Sequence, residues 1–432
     1  MTAVAKYVAS PNNYFHHLIF GIPFARTYPE VRSLRFFAFT DDLQRDLDWM
    51  TLSIIRYAKE ISMFLQKEAS FQKAFLLGNY KQATDELESI TVDFGQSLWA
   101  LEKSFLLAEY ASGLETNKKL LTQILGDETN DVLLRFLAEY LSLRCEAKLS
   151  AENYRLRLNR VFEDIEKDMP QLTAYLRYRL DHLSLDPIPF GSLITYFEGP
   201  SPVIDRYLTF VTILQFCIVG GSNHKDIASA AVSRVGPMIR DSRIDTILQF
   251  FTPERTLGWN SLAAEVLHTL DDYTDGDYEK SAKVTAHLLI ENPQLYELYY
   301  IYNRSLEHMG SPFTQVFPRS SVAAAILEHS NVVLRGEGSW RGSSDALFKL
   351  SMSLWRDPLA YGLYDGYLQG ALPSPEKIYH KLALLNASSA NPRFATIYSD
   401  PAKAERFLEQ LSHRAGEGST LSLIRGGNRN IT

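Results

Sequence analysis

The sequence feature that most constrains the fold is the stretch from Gly276 to Gly310, in which a proline separates two helical patterns. Glycine adopts left-handed backbone angles at little steric cost, so each of these glycines suits a turn that follows a helix. Pro293 is expected to end the first helix near Asn292, because the residue before a proline is pushed out of the helical conformation. The stretch therefore predicts a hairpin of two helices with a period of 34 residues.

Both predicted helices carry an apolar stripe, which indicates the side that each one buries. The stripe of the first helix consists of Tyr278, Ala282, Ala286 and Leu289. The stripe of the second consists of Leu295, Tyr299, Tyr302, Leu306 and Met309. The opposite, mostly polar face of the second helix consists of Glu297, Tyr300, Arg304, Glu307 and His308.

The hairpin resembles a tetratricopeptide repeat, whose period is about 34 residues. The distance of 17 residues from Gly276 to Pro293 is that of the family. Tyr299, Tyr302 and Leu306 match the spacing of its W-x2-L-G-x2-Y pattern. The resemblance implies an α-solenoid of antiparallel hairpins that binds a protein or peptide on its concave face.

The resemblance also implies where a partner would bind, and where the packing departs from the family. In such repeats the first helix of each hairpin lines the groove. Carried onto the helix that matches the W-x2-L-G-x2-Y spacing best, this assigns partner binding to Glu297, Tyr300, Arg304, Glu307 and His308. Asn303 stands where the family has glycine, and Ser281 and Thr285 replace its A-x3-F pair. The packing between the two helices is therefore expected to differ locally.

The same glycine punctuation occurs near the start of the chain. Gly78 precedes a helical pattern, and Gly113 follows it after 35 residues. Further helical patterns are expected at about 40–66, 83–90, 97–112, 131–148, 152–167, 203–219, 225–235 and 242–250. The fold class predicted is all-α, and the short run 330–334 is the strand candidate.

Four regions follow from these patterns. Residues 1–39 are expected to form an irregular arm that packs on the first hairpin, and residues 40–310 a tetratricopeptide-like array. Within the array, residues 186–260 lack the period and are interpreted as degenerate. Residues 311–414 are predicted to be a C-terminal helical region, and residues 415–432 a flexible tail.

Composition narrows the class of partner and the compartment. The formal net charge of −7 gives no general attraction to phosphate backbones, so nucleic acid is not an expected partner. Cys145 and Cys217 lie in apolar patterns and are expected to be buried, without a disulfide or zinc motif. The apolar run Tyr207–Val219 has 13 residues, whereas a membrane span needs about 20. These features, with no signal-peptide pattern, predict a soluble cytoplasmic protein without a membrane partner.

Each candidate motif of catalysis or metal binding in the sequence lacks a residue that its chemistry needs. The acidic run Asp271–Asp277 resembles a calcium loop, but Tyr273 and Ala282 occupy positions that need oxygen ligands. His16 and His17 are adjacent and have no partner at helical spacing. The glycine loops near 220 and 336–342 lack phosphate-loop endings. We expect no metal, no cofactor and no catalytic residue.

Two functions from different classes remain after this search. The first is a non-catalytic scaffold or adaptor that binds a protein or peptide within a multiprotein complex. The second is a helical hydrolase whose active site is assembled in the region from about residue 311. Whether a small molecule binds is left open by the sequence.

Overall fold

The computed structural model describes residues 24–33, 42–181, 201–219, 222–241, 275–293, 297–311 and 314–325, with shorter pieces between 194 and 328. These residues are helical and contain no strand, which confirms the predicted all-α class for the described part of the chain. In chain order the helices are α1 (Tyr28–Ser33), α2 (Leu43–Arg56), α3 (Ala58–Leu76), α4 (Tyr80–Phe94), α5 (Leu98–Ser112), α6 (Leu114–Gly126), α7 (Val132–Cys145), α8 (Ala151–Glu166), α9 (Pro170–Leu180), α10 (Val203–Val219), α11 (Ser222–Val235), α12 (Tyr278–Glu291) and α13 (Glu297–His308).

Short polar side chains fix where many of these helices begin. The first amides of a helix lack intrahelical acceptors, and a preceding Asp or Ser can accept from one of them. Asp42 accepts from the amide of Arg45 at 3.1 Å, and Thr40-Asp41-Asp42 is a run of good N-cap residue types in the sequence. The same cap geometry is found at Ser97, Asp131, Ser150 and Asp277.

The turn glycines predicted from the repeat pattern are confirmed. Gly78, Gly113 and Gly310 follow the ends of α3, α5 and α13, and Gly276 follows helical residues at 271–273 and 275. The φ values of Gly78, Gly113, Gly276 and Gly310 are 77°, 86°, 87° and 60°. Residues with a Cβ are strained in this left-handed region, so glycine suits these turns. The helix break before Pro293 is also found, because α12 ends at Glu291 and Asn292 is its C-cap.

Some helix boundaries differ from the sequence prediction. The pattern predicted to run to about residue 66 is two helices, since α2 ends at Arg56 and Tyr57 is its C-cap. Helices α1, α6 and α9 are absent from the prediction, which gives residues 1–39 as an irregular arm. The buried residue of α6 is the polar Asn117, so the apolar residues of this helix do not form the buried stripe from which a helix is predicted. In α9, Arg177 and Arg179 interrupt the apolar pattern.

The chain divides into two compact units, and neither is continuous in sequence. Unit 1 comprises residues up to Ala69 together with Thr84–Leu248. Unit 2 comprises Ser70–Ala83 together with residues from Gln249 onward. The predicted array, residues 40–310, thus contributes to both units. The arm is described only at 24–33, and the chain beyond 328, including the tail and the strand candidate 330–334, lies outside the described residues.

In unit 1, helices that follow one another in the sequence pack together, and two later helices pack on the first part of the unit. Helices α5, α6 and α7 pack together, α8 packs on α9, and α10 and α11 return to pack on α2. The core includes the fully buried rings of Phe64 and Trp99, which meet edge to face at 5.1 Å. Cys145 and Cys217 are buried as predicted.

The described part of the arm is fastened to the turn between α4 and α5. Arg26 donates to the carbonyl oxygens of Val92 at 2.7 Å and Asp93 at 3.1 Å, at the C-terminal end of α4. The backbone amide of Gln96 donates to the carbonyl oxygen of Arg26 at 2.8 Å. Gly95 has a φ of 87°, and a Cβ there would lie 2.5 Å from that carbonyl oxygen. Glycine therefore permits this close crossing.

Unit 2 contains the predicted hairpin of α12 and α13, together with the segment Ser70–Ala83, which holds the turn between α3 and α4. Lys73 pairs with Glu291 at 3.1 Å. A Cβ on Gly78 would lie 3.3 Å from the Cα of Ser321. In a solenoid each repeat contacts its neighbours in the sequence. These contacts join segments that are distant in the sequence, so they are additional to that pattern.

None of the described helices is both long and apolar enough to cross a membrane.

Candidate functional site

The face predicted to bind a partner lies on α13. Its five positions share one side of the helix, because they recur at steps of three and four or are adjacent. Glu307 is exposed and His308 is half-buried. The side chains of Glu297, Tyr300 and Arg304 lie outside the described residues. The last turn of the predicted face is therefore at the surface.

His308 belongs to a cluster of three rings that sequence reasoning missed. Its imidazole stacks on the ring of Tyr278, with centroids 4.3 Å apart and planes at 11°. Both rings lie near the buried ring of Tyr273, at 6.2 Å from His308 and 5.7 Å from Tyr278. The stack places an aromatic surface of α12 beside the predicted face of α13.

The buried side of α12 is centred about one position away from the predicted stripe. Ala282 and Leu289 are buried as expected, but Tyr278 and Ala286 are only half-buried. The other buried residues of the helix are Ser281, Thr285 and Leu288. The shift leaves the ring of Tyr278 partly exposed, which is why it can stack on His308.

The buried side of α13 is wider than predicted. Tyr299, Tyr302 and Leu306 are buried as expected, whereas Leu295 and Met309 are only half-buried. Further buried residues are Leu298, Ile301, Asn303 and Ser305. The helix is covered on a second side, where Tyr302 donates to the carbonyl of Thr314 at 3.4 Å and Asn303 to that of Leu327 at 3.1 Å.

Polar contacts join α12 and α13, which agrees with the expected departure from the family. Ser281 and Thr285 are fully buried. The hydroxyl of Ser305 lies 3.3 Å from that of Ser281, which in turn donates to the carbonyl of Thr269 at 3.3 Å. Thr285 donates to the carbonyl of Ser281 at 2.6 Å. Small hydroxyl residues thus replace the bulkier pair of the repeat pattern.

The acidic run before α12 serves the turn and the helix start. Asp277 accepts from the amide of Lys280 at 3.2 Å, and Asp272 pairs with the side chain of Lys280 at 2.8 Å. Across the described residues, no group of three or more His, Cys, Asp or Glu side chains could hold a metal ion.

Unit 1 holds an arrangement of buried charges between α5, α7 and α9. Arg144 of α7 pairs with Glu102 of α5, and both side chains are almost fully buried. Arg144 also lies 3.3 Å from the carbonyl oxygen of Leu180, and the hydroxyl of Tyr154 donates to the same oxygen at 3.1 Å. These groups donate to a carbonyl oxygen at the C-terminal end of α9, where no amide within the helix is available as a donor.

A second buried group links α9 to the segment before α10. Arg179 donates to Glu198 through Nε at 2.7 Å and through its terminal nitrogen. Tyr175 donates to Glu198 at 2.5 Å, and Ser201 donates at 2.9 Å. Burial alone would raise the pKa of Glu198, but the charge of Arg179 and these hydrogen bonds together lower it. The carboxylate is therefore held in its charged form.

Asp205, in the first turn of α10, caps a different helix. Its two oxygens accept from the amides of Leu98 at 2.7 Å and Trp99 at 3.0 Å, at the N-terminus of α5. Burial raises the pKa of Asp205; Arg179 opposes this shift and Glu198 adds to it. Two carboxylates of one neighbourhood are thus shifted in opposite directions, because Arg179 is bonded to Glu198 and not to Asp205.

A pocket opens beside Asp205. Its floor is formed by buried residues, among them Leu134, Leu137, Tyr175 and Asp205, and its mouth by half-buried residues. The residues at the mouth are Tyr28, Val31, Leu98, Asp131, Leu133 and Phe197. The rings of Tyr175 and Phe197 stack at 4.4 Å.

These buried charges carry a sequence signal that the periodicity argument overlooked. Glu102 and Lys103 interrupt the apolar run of α5, and Asp205 interrupts that of α10. A charge within an apolar helical stretch must find a partner or neutralise when it is buried. The interruption marks the residue as constrained, but the partner comes from a helix distant in sequence. The hydrolase site imagined from residue 311 onward falls largely beyond the described chain.

Comparison with known proteins gives one distant likeness. Over 259 residues, 60% of this chain, the sequence is 22% identical to the Detocs histidine-protein kinase DtcA of Enterobacter cloacae (strain JD6301). The aligned part is 23% of that kinase, so the chain spans about a quarter of the relative's length. No family model matches the chain, and no solved structure matches it.

Proposed function

We propose that this chain is a non-catalytic helical-repeat scaffold or adaptor that binds a protein or peptide on the concave face of tetratricopeptide-like hairpins, within a multiprotein complex. The hairpin of α12 and α13 carries the proposal. Its flanking glycines at 276 and 310 have positive φ, and its helices are separated at Asn292 and Pro293. This is the register from which the family's partner-binding positions were carried over.

The exposed end of that face has the chemistry of a peptide contact. Glu307 offers a carboxylate at the surface, and the stacked rings of His308 and Tyr278 offer a flat aromatic area. Aromatic side chains are enriched among the residues that dominate binding energy at interfaces. The partner that fits is a peptide or loop with both polar and apolar side chains.

The distant relative is named a histidine-protein kinase, and we propose a complex that contains such a kinase as the setting. Because the match covers 23% of that kinase, its phosphotransfer activity is not carried over to this chain.

The test is co-purification of the tagged full chain from its native host, with partners quantified by mass spectrometry. Replacing Tyr300→Ala together with Arg304→Glu should deplete the specific partner while the melting temperature stays within a few degrees. A matched control is Leu156→Ala with Arg157→Glu on α8, where both side chains are exposed. The control should retain the partner. Normal recovery with the α13 variant would move the binding site elsewhere, most directly to residues 311–432.

A further inference from the structure

The pocket in unit 1 combines aromatic walls with acidic groups. Tyr28, Tyr175 and Phe197 contribute rings, and Asp131 and Asp205 contribute carboxyl groups. Among the described residues that line the pocket, none is basic. Aromatic faces and carboxylates both attract organic cations, the former through the negative charge of the ring face. The composition of the walls therefore selects positive charge.

The size of the pocket limits what can enter. The cavity has a volume of about 50 Å³, whereas a single water needs about 10–15 Å³. The pocket thus accommodates a few waters or one small charged group, and a nucleotide or flavin is too large.

Asp205 can accept more than it does. A carboxylate has about four acceptor positions, and the amides of Leu98 and Trp99 use two of those of Asp205. The charge of Arg179 is bound to Glu198 through two hydrogen bonds. A cation in the pocket would supply Asp205 with a bonded positive partner of its own.

An anion is the opposite candidate, because helix N-termini carry partial positive charge. The N-terminal ends of α5 and α7 both lie at the pocket. Their amides, however, already donate to carboxylates: Leu98 and Trp99 to Asp205, and Leu134 to Asp131 at 2.7 Å. The helix ends are compensated by acidic side chains, so they do not favour a further anion.

We propose that this pocket binds a guanidinium or alkylammonium group, with the charged head beside Asp205 and Asp131 and the alkyl part against Val31 and Leu98. The group belongs to a free small organic cation or to the tip of a partner's arginine or lysine. The site lies in unit 1 and uses no residue of α13. It can therefore fail or hold independently of the proposed function.

The experiment is saturation-transfer NMR on the full chain at constant ionic strength. One probe is ethylguanidinium, with neutral ethylurea as its matched control. The second probe is the peptide acetyl-Gly-Arg-Gly-amide, with citrulline replacing arginine in its control. The charged probes should bind, and the neutral isosteres should bind at least about tenfold more weakly, as the loss of a charge-assisted hydrogen bond predicts.

Variants locate the binding. Asp131→Asn keeps a good N-cap residue for α7 and removes one negative charge, and it should weaken the charged probes about tenfold. Glu128→Gln removes an exposed carboxylate nearby that does not line the pocket, and it should leave binding unchanged. Asp205→Asn is expected to act like Asp131→Asn. If Asp205→Asn fails to fold, Asp131→Asn decides alone.

Three results would overturn the proposal: equal binding of charged and neutral probes, wild-type binding by Asp131→Asn, or saturable binding of inorganic phosphate in place of the cations. Comparable affinity for ethylguanidinium and the arginine peptide would support a free small cation as the ligand. A peptide that binds at least about tenfold more tightly would support a partner's side chain, since its flanking backbone then adds contacts.

Discussion

At the scale of single residues, the surroundings decide what a given residue type contributes. Glycine shows this clearly, because Gly113, Gly126 and Gly276 all have open space where a Cβ would be. Gly113 and Gly276 have φ near 86°, whereas Gly126 is outside the left-handed region. The cost of adding a side chain therefore comes from the backbone angle and not from crowding.

Replacing Gly276→Val should lower the free energy of unfolding by roughly 1–2 kcal/mol, because valine is strained at positive φ. The matched control is Gly126→Val, which has the same open space without positive φ and should change stability by no more than about 0.5 kcal/mol. Chemical denaturation of both variants measures the difference. Equal effects of the two substitutions would show that the turn conformation is not the cause.

At the scale of elements, several helices are completed by side chains of other helices. Asp205 of α10 caps the start of α5, and Arg144 of α7 and Tyr154 of α8 donate hydrogen bonds to the carbonyl oxygen of Leu180 at the end of α9. Helix ends that lie in the interior need such partners, because their free amides and carbonyls cannot reach water. Each of these helices therefore depends on its neighbours for its boundaries.

Replacing Arg144→Met should destabilise unit 1 by about 3 kcal/mol, because it leaves the buried Glu102 without its guanidinium partner. Lys103 remains 4.0 Å from Glu102 and moderates the loss. The double replacement Arg144→Met with Glu102→Leu removes both charges of the pair and should recover part of the stability. The recovery is partial because the buried Lys103 then loses the carboxylate 4.0 Å away. Thermal and denaturant unfolding of the single and double variants measure this. A double variant that is no more stable than the single one would contradict the buried-charge explanation.

At the scale of the whole molecule, the order of the chain and the grouping of its helices differ. The short segment Ser70–Ala83 belongs to unit 2, although the residues on both sides of it belong to unit 1. Among its contacts within the described part of unit 2 are those of Lys73 with Glu291 and of Gly78 with Ser321, more than 200 residues later. Closing so long a loop has an entropic cost, which the packing of the segment must offset.

The contact between Gly78 and Ser321 can be tested by comparing two glycines with nearly equal backbone angles. Gly78→Val should speed amide hydrogen exchange at residues 321–325, because its side chain would press on the backbone of Ser321. Gly113→Val introduces similar strain at a φ of 86° but has open space around it. It should leave exchange at 321–325 unchanged. Equal exchange in both variants would show that the long-range contact does not hold this segment.

The sequence by itself determined those features that depend on local physical chemistry. Helical periodicity indicated the all-α class, and residues with special backbone angles located the turns. Gly78, Gly113, Gly276 and Gly310 were identified because few residues other than glycine tolerate positive φ. The N-cap at Asp42 and the limits of α10 followed from equally local signals.

Only the tertiary structure decided which helices meet and which polar side chains are buried. Periodicity shows that α13 has an apolar side, but it does not show that a second segment covers Asn303, whose side chain donates to the carbonyl of Leu327. The pairing of Arg144 with Glu102, and the pocket beside Asp205, join residues from 42 to more than 100 positions apart. Local sequence patterns carry no information about such pairings, because the free energy that selects them comes from burying both partners together.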